Sequence, residues 1–298
     1  MKVGISSQFN IWVNDQLSTV DDISFLGISR SLLALSTMLT LLCNGPEIIF
    51  ANLVGDKMTI KEDLIGISLF YLLGCNHVKI AYLVALCILF IVIIGILPRY
   101  TAALHWWVSY SLFSSGQVLD GGDQITNILT LFMMPILWLY DTKWHWQTKR
   151  LFKANERVYT YFFVILMKMQ FCFLYFQAAT SKFLVPEWKN GTAVYYWLNN
   201  RAFGNKDVFL SSVLTSSALG VVLLTWGTIL IELILSAGFF MSSRYWDILF
   251  WIGVLFHLFI LIAMGLTSFS IAMSAGLIIY FQPRILSRLA VPYKTLLS

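Results

Sequence analysis

The sequence predicts an all-α, polytopic transmembrane helical bundle of about eight spans, with short interfacial helices. Three observations carry this. Hydrophobic residues make up 58% of the 298 and charged residues 12%, where a soluble domain holds about 25% charged residues. Several apolar runs reach the roughly 20 residues needed to cross a bilayer. Chain breakers such as Asn44-Gly45-Pro46 and Pro98-Arg99 separate the runs, as helix ends require.

Taken in order, residues 1–24 are mostly polar, contain Asp15, Asp21 and Asp22, and do not predict a signal peptide. Phe9, Trp12, Val13, Leu17 and Val20 recur at roughly helical spacing, which predicts a helix lying on the membrane surface. The first span is residues 25–43. Residues 46–78 hold two apolar patches, at 48–54 and 64–73, too short to cross. The second span is 80–97. Residues 102–119 carry Ser109, Ser111, Ser114, Ser115 and Gln117. They read either as an interfacial helix or as a polar span inside a bundle. Taken as crossing, they are followed by spans at 124–140, 158–182, 216–241, 246–266 and 268–283.

Charge distribution favours that choice. With eight spans, twelve Lys and Arg fall on the side of the termini, six on the other, and Lys168 and Lys182 within the membrane. The positive-inside rule then makes both termini and the basic loop 141–157 cytoplasmic. The loops at 44–78, 120–123 and 184–215 become external. The chain divides into a cytoplasmic segment at 1–24, a transmembrane domain at 25–283 and a cytoplasmic tail at 284–298. No basic cluster with interleaved aromatics lies on a soluble face, so membrane lipid is an expected partner and nucleic acid is not.

Candidate residues are the polar ones that apolar surroundings make costly. A lysine near the middle of a span costs about 2.5–3.5 kcal/mol on insertion scales. Lys168, Tyr175, Ala178 and Lys182 share one helix face, being spaced by seven, three and four residues. Lys182 either snorkels to the headgroups beside Trp188 or serves as a base. Asp120-Gly121-Gly122-Asp123 falls at the same outer mouth. It reads either as an acid/base site with Lys182 or as a polar turn in which Asp123 caps the next span. Glu232, the one carboxylate deep in an apolar run, predicts a structural pair with Lys168 or a proton relay. His257, in LFHLFIL, is either a helix contact or a proton-transfer residue. The candidate catalytic set is therefore Lys182, Asp120, Asp123 and His257. Of the four cysteines, none has metal-site spacing, and no metal is expected. Cys87 and Cys172 sit in apolar runs, and His105 beside Trp106 and Trp107 reads as part of an aromatic belt. Cys43 and Cys75 fall on the oxidising side as a candidate disulfide closing a loop of about 30 residues.

Three segments carry a resemblance: RYTAALHWWVSYSLFSSGQVLDGGD from Arg99, YFQAATSKFLVPEWKNGTAVYYWL from Tyr175, and the stretch from His257 to Phe269 with Met273. They resemble the SdpB family, membrane proteins of bacterial antimicrobial-peptide systems of the sporulation-delaying type, over residues 26 to 283. That family resembles the wider HTTM group, which includes the membrane part of vitamin K-dependent γ-glutamyl carboxylase. The resemblance implies a bacterial plasma-membrane protein that matures a toxin precursor peptide with a small SdpA-like partner. It also puts Lys182 in the place of the carboxylase's lysine base, with Tyr175, Phe176, Ala178 and Trp188 as neighbours. The lysine-to-tryptophan spacing differs by one residue. No counterpart of the carboxylase's large soluble domain is expected in these 298 residues, so the cofactor stays unknown. The rival readings are a non-catalytic scaffold or translocation partner for the peptide, and an immunity protein.

Overall fold

The computed structural model describes residues 17–20, 23–50, 67–72, 77–117, 119–139, 141–147, 153–200 and 208–284. Among them the architecture is helical, with a single isolated bridge between Ile96 and Trp144. Eight long helices follow one another: α1 (Ser24–Cys43), α2 (Val78–Ile94), α3 (Pro98–Ser115), α4 (Gly121–Leu137), α5 (Ala154–Lys182), α6 (Ala218–Ala237), α7 (Trp246–Met264) and α8 (Thr267–Phe281). Short helices at Pro46–Ile49, Leu69–Leu72, Pro186–Lys189, Ala193–Leu198 and Val208–Thr215 decorate the connections. Among the described residues, four helices are long and apolar enough to cross a membrane: α1, α5, α6, and α7 together with the turn before it. The chain is accordingly a membrane protein. α2 and α8 are apolar but span 17 and 15 residues, so eight crossings go beyond what length alone establishes.

The predicted breakers act where expected. Pro98 opens α3 at its first turn, where a missing N–H costs nothing. Gly95 closes α2 at φ 93°, a left-handed conformation that glycine adopts freely. The predicted surface helix, Phe9 to Val20, lies outside the described residues up to residue 16, as do Cys75 and the tail beyond residue 284. Cys43 is exposed at the end of α1.

α8 is the axis of the bundle. It packs on α1, α4, α5 and α7, and it is buried from Leu277 through Phe281 as well as at Ser270, Ala272, Met273, Ala275 and Gly276. A helix apolar all round is stable only when enclosed on every side. Its closest approach is at Gly276, where the Phe171 ring of α5 occupies the space a Cβ would need. α5 and α6 run antiparallel. Their register is fixed where Ser236 Oγ donates to the Cys172 carbonyl at 3.0 Å.

At the other end of α1, Arg30 is fully buried. Its guanidinium donates to Thr101 Oγ1 at 2.7 Å and meets His145 Nδ1 at 3.3 Å. His145 also contacts Ser31 Oγ at 3.1 Å, and its backbone N–H donates to the Gly95 carbonyl at 2.9 Å. These bonds pin the 141–147 loop onto α1 and the α2–α3 turn. His105 is buried as well, so it belongs to the interior rather than to an aromatic belt.

Candidate functional site

Where α5 ends, Lys182 folds its side chain back along the helix. Nζ donates to the Ala178 carbonyl at 3.1 Å and to both carboxylate oxygens of Glu232 on α6 at 2.7 Å each. The Trp188 ring lies 5.0 Å from the amine, within cation–π range. The Lys182 side chain is 16% exposed and that of Glu232 9%. A pair this dry gains from its full set of hydrogen bonds, because the desolvation cost of each ion is several kcal/mol.

The pair opens onto a cavity of about 480 Å3 walled by α4, α5, α6, α7 and α8. A second polar pair lines the same cavity. Tyr175 Oη and His257 Nε2 are 2.9 Å apart, joined by a hydrogen bond whose direction the imidazole tautomer decides. Both residues are almost wholly buried, and His257 Nδ1 has no hydrogen-bond partner. The rest of the wall mixes Phe173, Phe256 and Phe269 with Gln124, Gln170 and Gln177. A cleft with an amine, a carboxylate, an imidazole and a phenol on its walls can exchange protons with a bound molecule.

The chain is 36% identical to the uncharacterized protein YitO of Bacillus subtilis (strain 168) over 265 residues, covering 86% of this chain and 84% of that one. It is 32% identical to the sporulation-delaying protein SdpB of the same organism over 264 residues, 85% of this chain and 80% of that one. The chain belongs to the SdpB family. No family model and no solved structure matches it significantly.

In this SdpB-family chain the candidate residues separate into two groups. Lys182 and His257 both line the cavity. Asp120 and Asp123 do not. Asp120 caps α4, accepting from the Gly122 and Asp123 N–H groups at 2.7 and 3.1 Å. Asp123 returns the bond to the Asp120 N–H at 3.3 Å and accepts from Thr40 Oγ1 at 3.4 Å. This reciprocal cap satisfies donors that a helix start leaves orphaned. Their neighbours Gly121 and Gln124 reach the cavity instead.

The expected Lys168–Glu232 pair is corrected. Glu232 is held by Lys182, while Lys168 donates to Gln282 Oε1 at 3.3 Å and sits 4.0 Å from the centre of the Trp246 ring. The cause is register. The Ser236–Cys172 bond sets Glu232 level with the last turns of α5, and Lys168 lies 14 residues before Lys182, roughly 21 Å along the axis. That brings Lys168 to the ends of α6 and α8 and the start of α7. Two features escaped the sequence reading: Glu232 as the partner of Lys182, and the three glutamines. Gln170 and Gln177, seven apart inside an apolar helix, were the available signal for the second.

Proposed function

We propose that this chain is a bacterial plasma-membrane protein of eight crossings that matures a secreted toxin peptide, with the Lys182–Glu232 cavity as its working centre. The relative's name, a sporulation-delaying protein, supports the biological setting. The resemblance of the Tyr175–Trp188 segment to the carboxylase supports a proton-handling role for Lys182. The observation that carries the reading is the pairing of that amine with a carboxylate at 2.7 Å on the wall of a cavity. A proton taken from a bound group can be held between Nζ and the Glu232 oxygens and then returned. The His257–Tyr175 pair lining the same cavity supplies a second donor and acceptor. The toxin precursor and a small SdpA-like protein are the proposed partners, and both termini are cytoplasmic.

The test compares Lys182→Arg with Lys182→Ala, reading the secreted peptide by mass spectrometry and by killing activity. Arginine keeps the charge and the two-oxygen contact with Glu232, but it does not deprotonate. Under this reading neither variant secretes mature toxin, although Lys182→Arg, which keeps the ion pair, inserts and folds normally. A scaffold reading is favoured by the completeness of the pair's hydrogen bonds, which lock α5 to α6. Near-normal mature peptide from Lys182→Arg would establish the scaffold in its place.

A further inference from the structure

Three side-chain amides line the cavity wall: Gln124 in the first turn of α4, and Gln170 and Gln177 on α5. None of them has a side-chain hydrogen bond among the described residues; Gln170 is half-buried, and Gln124 and Gln177 are exposed. Gln170, Gln177 and Ser181 follow one face of α5 at spacings of seven and four. They form a polar track of roughly 16 Å, with Lys182 at its end. α5 is one of the helices of membrane-crossing length, and Gln170 lies 12 residues, about 18 Å, from its end. At the depth of Gln170 an amide without a partner costs several kcal/mol, while Gln124 and Gln177, near the outer ends of their helices, stand open to a ligand. The track is therefore accessible to an occupant that presents donors and acceptors in alternation along its length. Phe173, Leu174 and Ala178 lie between the amides on the same wall, so the occupant is apolar between its polar groups.

We propose that this groove holds an extended, uncharged stretch of about five residues of polypeptide, its backbone amides bonded to Gln124, Gln170 and Gln177. At 3.3 Å per extended residue, five residues match the track's length. Each glutamine offers both an N–H and a C=O, as each peptide unit does. The occupant's outer end reaches the Lys182–Glu232 pair. This rests on the reading above only in taking the cavity as the seat of the substrate peptide. The groove also explains how an extended segment can lie at membrane depth, where backbone groups must otherwise be paired within a helix or barrel.

The test uses the full-length protein in phosphatidylcholine nanodiscs, with a photoreactive residue in place of Phe173. The probes are a biotinylated, end-capped hexapeptide of leucine and alanine, and the same peptide with alternate amides N-methylated. The native-backbone peptide is expected to label at least fivefold more strongly than its methylated counterpart. The double variant Gln170→Leu/Gln177→Leu is expected to lose that advantage while keeping its melting temperature. Equal labelling by the two peptides would overturn the proposal. So would absent peptide labelling, or labelling by a photoreactive phospholipid as strong as that by the peptide. The readout is binding, so it is independent of toxin output from Lys182→Arg, and the two readings fail separately.

Discussion

At the scale of single residues, His145 makes the clearest pH prediction. Burial, with the nearby Arg30 guanidinium adding to it, lowers its pKa from the usual 6.5 to about 3. Between those values the unfolded chain takes up a proton that the folded one refuses. Stability then falls as pH falls through that window, by up to roughly tenfold in the folded-to-unfolded ratio per pH unit. Thermal melts in nanodiscs at pH 7 and pH 5 would measure it. His145→Gln should flatten the difference, and an unchanged pH response in that variant would remove His145 as its source. Gly276 makes a packing prediction at the same scale. A Cβ there would run into the Phe171 ring, so Gly276→Ala forces the ring aside at a cost of about 1–3 kcal/mol. Combining it with Phe171→Leu should recover much of the loss. A melting temperature unmoved by the single change would show that the contact yields freely.

At the scale of elements, the α5–α6 pair decides which charges meet. Removing either Lys182 or Glu232 leaves a buried ion and should cost about 3–5 kcal/mol, with the double removal milder. A double-mutant cycle between Lys168 and Glu232 should show no coupling, because α5 carries those residues to different levels of the bundle. Coupling in the second cycle and none in the first would contradict the register. This also marks how far the sequence could be read. Helix positions were legible, since Pro98, Gly95 and the apolar runs act locally. The aspartates of residues 120–123 could be read either way, because a capping box and an acidic mouth use the same letters. The partner of Glu232 was not legible, since it depends on a serine–carbonyl bond between two helices 64 residues apart. Arg30 was one of the twelve basic residues assigned to the side of the termini, and its burial was not legible for the same reason: the His145 that faces it lies 115 residues away.

At the scale of the whole molecule, the proposed topology makes the turn before α4 external and the basic loop before α5 cytoplasmic. A cysteine placed at Gly121, which is exposed, should react with an impermeant reagent from outside intact cells, and one placed at Lys149 should not. The reverse pattern would put the mouth of the cavity on the cytoplasmic side. The position of α8 has a consequence for how the molecule comes to exist. The first long helix finds its main neighbour in the last, as the bond from Ser36 Oγ to the Ser268 carbonyl across 232 residues makes plain. At synthesis rates of about 5–20 residues per second, α1 waits roughly 10–50 s in the bilayer before that neighbour emerges from the ribosome. Until then its serines and threonines face lipid, or whatever insertion factor shelters them. A chain stalled before residue 267 is thus an open ring with its central post missing, and membrane proteases have that interval in which to find it.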